Sequence, residues 1–325
     1  MKTRPIGQTG LKVTEVAFGC ASIGNLYAAV TDEAAEAVLS AAYAAGIRYF
    51  DTAPHYGRGL SEMRLKRFLA GHDDVILSTK VGRVLSPARH PIEAVDGYVQ
   101  PAQNDARYDY SGDGIEESFE QSLELLGRSS IDILYVHDLG RCTHGAAADR
   151  HMEAFLGSGY ERLARLKERG RIRAFGLGVN ECEVCLDVLG HGPLDVILIA
   201  GRLTLLDRSA EAGLVPLCRE RGTSLVLGGI FNSGILATGP VEGATYDYRP
   251  ASIEVRERAA NLERQAEAHG IGLAAAALHF AHRHPAAASV LLGTANPLML
   301  KRNLEMLAEE PSQAAKAFLD RSPDA

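Results

Sequence analysis

The stretch IDILYVHDLGRCTHGAAADRHMEAFLGSGYERLARLKERGRIRAFGLGV, residues 131–179, carries the pattern from which the rest of the chain is read. It opens on a nearly unbroken apolar run, Ile131–His137, and closes on another, Ala174–Val179. Between them, Leu163 and Leu166 fall at helical spacing within Tyr160–Arg169, Lys167 and Arg169 occupy the last turn, and Gly170 follows as a stop. A strand, a helix and a second strand result. Runs that are apolar throughout, rather than alternating, predict parallel strands buried on both faces.

Working outward, the same kind of run recurs at Val16–Gly19, Tyr49–Thr52, Val75–Lys80, Val196–Ala200, Ser224–Gly228 and Ser289–Gly293, after a predicted amino-terminal hairpin. Helical stripes separate them. Ile115, Phe119, Leu123 and Leu126 form one, with Asp113 as the expected N-cap and Glu116 three residues on. Leu214, Leu217 and Cys218 form another, ended by Gly222. Ala259, Leu262 and Ala266 belong to a longer helix closing at His269-Gly270. Strands alternating with helices in this number predict an α/β chain folded as a (β/α)₈ TIM barrel, read as one domain over residues 1–325. A doubly wound sheet is the alternative on pattern alone.

Composition narrows the function classes. With 34 Lys plus Arg against 41 Asp plus Glu, the formal charge of −7 argues against a nucleic-acid surface. No apolar run approaches the ~20 residues needed to cross a bilayer, and the start MKTRPIGQTGLKV lacks the core of a secretory signal. Five cysteines, an odd number, fit reduced thiols and a cytoplasmic location. Cys182 and Cys185 form a C-x-x-C, but no second pair of ligands at matching spacing makes it a zinc site, and two helix-borne core thiols are the plainer reading. Oligomeric state leaves no mark.

Three connections, Gly82–Gly112, Asp138–Gly157 and Ile230–Ser252, far exceed the usual βα loop of about 2–6 residues. All follow the carboxyl ends of predicted strands, where barrel enzymes build their sites. Tyr98, Tyr108, Tyr110, Tyr246 and Tyr248 fall in the first and third. At the same end of the barrel the strands carry polar tips: Asp51 on the second, Lys80 on the third and His137 on the fourth, with Tyr56 in the loop after Asp51. A lysine among apolar neighbours needs an anion, and Asp51 can supply it. Beside that ammonium, a phenol is expected to become more acidic than its ordinary value of about 10 and so to serve as a general acid or base. His137 can hold the oxygen of a carbonyl or hydroxyl next to it. No such group accepts a hydride; a nicotinamide must.

These residues resemble the aldo-keto reductase family. GIRYFDTAPHYG (46–57), ILSTK (76–80) and DILYVHD (132–138) stand at family-like separations, and the resemblance runs from about Gly7 to Asn303. It implies a (β/α)₈ barrel with Tyr56 exchanging a proton, Lys80 and Asp51 tuning it, and His137 orienting substrate. RYDYSGDGIEESFEQSLELLG (107–127) and GLGVNE (176–181) are similar to the aldose 1-dehydrogenase branch, which includes L-fucose and D-threo-aldose dehydrogenases and pyridoxal 4-dehydrogenases.

Departures from the family pattern bear on the cofactor. The pair that grips the nicotinamide amide is Val179-Asn180, so only Asn180 carries over. Ala200 replaces a glutamine, and Gly228 stands where relatives stack a tyrosine; Arg202 and Phe231 are the substitutes expected nearby, and Ser233 is carried over with them. Gly293 and Met299 occupy positions where NADP-dependent relatives hold a 2′-phosphate with cations, which leans the cofactor toward NAD over NADP even with Lys301 and Arg302 close by. Thr294 and the helix start at Asn296-Pro297 can receive phosphate or ribose, and Asn303 is the implied adenine contact. His55, Tyr108, Tyr110 and Tyr246 are the candidate substrate contacts. The expected activity is oxidation of the C1 hydroxyl of an aldose, of L-fucose, D-arabinose or L-galactose type, to a lactone. Alternatives are a pyridoxal 4-dehydrogenase or an NADPH-dependent aldehyde reductase. Outside that class stand a nucleotide-sensing binding subunit and a metal-dependent sugar isomerase using His55, His137, Asp51 and Asp138.

Overall fold

The computed structural model describes residues 1–321. Eight strands close into a parallel barrel: β1 (Val16–Gly19), β2 (Tyr49–Asp51), β3 (Ile76–Val81), β4 (Ile131–His137), β5 (Ile172–Val179), β6 (Val196–Ala200), β7 (Ser224–Gly228) and β8 (Ala287–Leu292). Each pairs with its neighbours in sequence, and β8 returns to β1, so a doubly wound sheet is excluded. Every predicted strand is present, four with the expected bounds and four with ends displaced by one or two residues.

Alternation along the strands sorts the core into two layers. Phe18, Phe50, Leu77, Leu134, Leu177, Ile197 and Leu227 point outward and pack under the helices. Ala17, Tyr49, Tyr135, Ala174, Leu198 and Val226 point inward and fill the barrel. The hairpin of Thr3–Pro5 and Lys12–Thr14 closes the amino-terminal end. It drives Ile6, Leu11 and Val13 into that inner layer and is tied to the start of β7 by Gly7 N donating to Ser224 Oγ at 2.8 Å. The opposite, carboxyl end stays free to hold a site.

Helix boundaries follow their caps. Helix Gly112–Leu126 starts two residues before the expectation: Ser111, not Asp113, is the N-cap, its hydroxyl accepting from Gly114 N at 3.2 Å. Asp113 instead sits in the first turn, 3.1 Å from Arg162 of helix Tyr160–Glu168. Gly222 ends Leu214–Arg221 in the left-handed conformation, and Gly270 follows the helix Ile253–Ala268 with the same backbone sign. Cys185 and Cys218 are buried and Cys182 partly so; all the cysteines are free thiols.

The long connections carry structure of their own. The first folds as Arg83–Pro87 paired with Asn104–Tyr108, and a smaller hairpin, Ala94–Val95 with Tyr98–Val99, extends from it. Short helices at Arg141–His144 and Ala148–Ala154 fill the second, and a hairpin of Thr245–Tyr246 with Arg249–Pro250 forms the tip of the third. Backbone pairing is what makes loops of this length affordable over the barrel mouth. No helix among the described residues is long and apolar enough to cross a membrane.

Candidate active site

Strand alternation places Asp51, Lys80, His137, Gly178, Ala200 and Gly228 at the last inward positions of β2 to β7. Half of that ring is polar and bulky; the other half is nearly empty of side chains. The cleft above it measures about 460 Å³.

On the polar half, Lys80 Nζ donates to Asp51 Oδ2 at 2.7 Å, to the Thr52 carbonyl at 2.9 Å and to the Tyr56 hydroxyl at 3.0 Å. Asp51 is wholly buried; its other oxygen accepts from Ser78 Oγ at 2.7 Å. The turn that presents Tyr56 is pinned by Ser61, whose hydroxyl lies 2.8 Å from Thr52 Oγ1 and donates to the Cys20 carbonyl at 2.9 Å. Gly57 is required there: its φ is +64°, and a Cβ would come within 2.3 Å of the Gly24 carbonyl oxygen. The His137 ring stands edge-on to Tyr56, with centroids 5.9 Å apart. Asp51, Tyr56, Lys80 and His137 are thus brought together.

Electrostatics correct one expectation. Burial, followed by the Asp51 charge, pushes the Tyr56 hydroxyl well above its ordinary value, so the phenol is neutral rather than unusually acidic. The Lys80 charge is largely spent on Asp51, 2.7 Å away. Burial, with help from Arg83, Lys80 and His55, keeps His137 well below the usual imidazole range and therefore neutral.

Other predicted contacts divide. His55 and Tyr108 line the cleft. Tyr110 does not: it is fully buried, and its hydroxyl donates to the His137 carbonyl at 2.8 Å, so it buttresses the site from behind. Tyr246 is likewise turned away, donating to Asp207 at 2.7 Å. Residues not singled out earlier complete the walls, among them Tyr27, Asp96, Thr143 and Arg83. The Arg83 and Asp96 charges gave no signal in sequence because their partners, Asp138 and Arg58, are remote or on another loop. Tyr98 and Tyr248, two of the loop tyrosines, also reach the cleft.

The empty half suits a flat ring with an amide. Gly178 and Ala200 line it, and a Cβ on Gly178 would press to 3.2 Å from Lys80 Cε, one on Gly228 to 3.2 Å from Leu198 Cδ2. Asn180 Oδ1 is buried and finds no hydrogen-bond partner among the described residues, an acceptor left for a donor from a bound group. Arg202 does not face this slot. Its Nε donates to the Asn180 carbonyl at 2.8 Å, while Nη1 and Nη2 hold Asp207 and Asp247 at 3.0 and 2.7 Å. It fastens the wall to the third loop.

Phe231 is half-buried in the apolar core rather than open to the cleft, and Ser233 Oγ accepts from Tyr248 N at 3.0 Å. Gly293 and Thr294 follow β8, Thr294 Oγ1 accepting from Asn296 N at 3.1 Å ahead of helix Pro297–Ala308, and Asn303 lies within that helix; none of the three lines the cleft. Among the described residues no group of three or more His, Cys, Asp or Glu is placed to hold a metal ion.

The model of the aldo/keto reductase family matches residues 15–320. A pyridoxal 4-dehydrogenase of Microbacterium luteolum is 39% identical over 314 residues, covering 93% of this chain and 91% of the relative. A D-threo-aldose 1-dehydrogenase of a Pseudomonas species is 36% identical over 309 residues, again covering 93% and 91%. Among solved structures, an aldo-keto reductase from Bacillus halodurans in its holo form superposes with a TM-score of 0.75 at 26% identity, covering 98% of this chain and 96% of that one.

Proposed function

The chain belongs to the aldo/keto reductase family of oxidoreductases, and from that premise we propose that it is a nicotinamide-dependent dehydrogenase of neutral cyclic hemiacetals, oxidising the C1 hydroxyl of an aldose to a lactone. The observation that carries the reading is the Tyr56 hydroxyl held 3.0 Å from Lys80 Nζ, beside a neutral His137 and next to a slot bare of side chains. When bound, a nicotinamide supplies the hydride acceptor and, in its oxidised form, a positive charge that favours the phenolate. Asn180 Oδ1 would accept from its amide, and Gly178, Ala200 and Gly228 leave room for the ring.

Tyr56 removes the hydroxyl proton as the substrate carbon gives up hydride, and Lys80 stabilises the oxygen that has lost its own proton. His137 donates to the substrate oxygen and orients it. In the reverse direction the neutral phenol is the acid. Two hydrogen bonds from the buried Lys80 and His137 side chains are worth more to the developing charge than the same groups in solvent.

A second reading has its own support. Pyridoxal closes its aldehyde onto the neighbouring hydroxymethyl group, giving a hemiacetal on a flat aromatic ring. His55 and Tyr98 meet edge-on at 5.3 Å and Tyr56 and Tyr98 stack at 6.2 Å, an aromatic wall that suits such a ring, and the 39% relative is named for that substrate. NAD is the preferred cofactor over NADP: Met299 and Gly293 offer no charge to a 2′-phosphate, and Lys301 leans toward Glu305 at 3.7 Å.

A panel of L-fucose, D-arabinose, L-galactose and pyridoxal with each cofactor separates these readings. Tyr56→Phe should lower kcat by about 10²–10⁴ while leaving NAD affinity within about threefold. Substantial turnover in that variant ends the proposal.

A further inference from the structure

Gly82 turns the chain as it leaves β3, with φ at +103° and no room for a Cβ, which would fall 2.3 Å from Tyr110 Cε1. The turn sends Arg83 back over the barrel mouth, where its side chain is 5% exposed. Its Nη2 donates to Asp138 Oδ2 at 2.7 Å, and its Nη1 lies 3.4 Å from Nδ1 of His137. Asp138 adopts a left-handed backbone, φ +46°, and this places its carboxylate 3.5 Å from Nε2 of the adjacent His137. One carboxylate therefore lies within reach of both the guanidinium and the imidazole.

We propose that Arg83 is a positioning residue: by clamping the Asp138 carboxylate and facing Nδ1 of His137, it keeps that imidazole neutral with its proton on Nε2. This rests on the role given to His137 as the donor to the substrate oxygen. A guanidinium has donors only, so the ring nitrogen it faces must carry the lone pair, and the ring proton goes to the other nitrogen. Asp138 competes for that proton. Burial raises the Asp138 carboxyl above its ordinary value even with Arg83 beside it, so a released carboxylate would be a stronger base. The groups facing His137 are Arg83, Asp138, Lys80, His55 and Tyr56. Of these, Asp138 alone carries a negative charge able to turn the ring into an imidazolium, and Arg83, 2.7 Å from the same oxygen that lies 3.5 Å from Nε2, offsets that charge.

Nitrogen NMR of protein labelled at histidine, with the His137 signal assigned from His137→Gln, reads tautomer and charge without substrate or turnover. In the parent protein His137 should show the neutral, Nε2-protonated pattern from about pH 5 to about pH 8. Arg83→Met should move its titration upward by about one pH unit or more, and adding Asp138→Asn to that variant should restore the neutral pattern. Asp138→Asn alone should keep it, and Arg83→Lys should fall between the parent and Arg83→Met; these two carry the test if Arg83→Met does not fold. An Nδ1-protonated ring in the parent, an unaltered titration in Arg83→Met, or an imidazolium in Asp138→Asn overturns the proposal. In turnover, Arg83→Met should lower kcat about tenfold or more with a smaller change in KM. The NMR result stands even if none of the hemiacetals is a substrate, so failure of this inference and failure of the dehydrogenase reading are distinguishable.

Discussion

At Tyr56 two forces act on one proton. Burial and the Asp51 charge hold it on; the Arg83 charge favours its release, as does a hydrogen bond from the Lys80 ammonium at 3.0 Å. Burial and Asp51 outweigh both, so the proposed oxidation would draw on a minor phenolate population. Its kcat/KM should rise by up to about tenfold per pH unit between about pH 7 and 9, whereas carbonyl reduction should stay nearly level there. A flat oxidation profile would remove Tyr56 as the base. Charge pairing at the same scale limits the substrate. Lys80 is matched by Asp51, Arg83 by Asp138 and Arg58 by Asp96, leaving no free cation in this set for a phosphate. An accepted aldose phosphorylated at a hydroxyl outside its hemiacetal should therefore show kcat/KM at least about 100-fold lower than the parent sugar, because a dianion would enter without a partner. Equal turnover of the two forms would show that the pairing is not limiting. Asp51, Lys80 and His137 were legible at this scale because a polar residue ending an apolar strand is conspicuous. Arg83, at the start of a long polar loop, was not, since its meaning lies in Asp138 fifty-five positions away.

Helix Leu60–Leu69 shows how an element can carry a cost. Glu62 is buried against helix Gly112–Leu126 and β3; one oxygen accepts from Thr79 at 2.7 Å and the other has no partner among the described residues. Burial pushes its carboxyl from 4.5 up to about 7. The folded state thus prefers the protonated form. Its stabilising contribution is complete below about pH 4.5 and is lost as pH rises through about 7, a change of about 3 kcal/mol. Glu62→Gln should abolish that decline, and denaturant midpoints of the two proteins at about pH 5 and about pH 8 give the comparison. Parallel behaviour would show that Glu62 is not buried as described. The helices themselves were legible from their apolar spacing, and their ends less so. Ser111 displaced Asp113 as a cap because the backbone at residue 111 is extended, at ψ 165°, a property that composition does not display.

Over the whole molecule, the two ends of the barrel have separate duties. The amino-terminal hairpin plugs one end with Ile6, Leu11 and Val13, none of them more than 1% exposed, while the tetrad of polar side chains lies at the other. Leu11→Ala should cost about 2–5 kcal/mol in urea denaturation yet leave cofactor affinity unchanged in the folded protein. A loss of binding without a loss of stability would mean that the two ends are coupled. The eight strands and their burial were determined by the sequence alone, because parallel strands covered on both faces must be apolar along their length; closure into a barrel rather than a doubly wound sheet was decided by the return of β8 to β1. The same rule marked the polar strand tips as exceptions. Which loop residues meet them was decided only by the tertiary structure. Tyr110 and Tyr246 have the same side chain as Tyr108, yet two turn away and one faces the cleft, according to whether a remote oxygen accepts the hydroxyl. Tyr56 acidity belongs to the same category, because burial sums over neighbours drawn from every part of the chain, and no local stretch contains that sum.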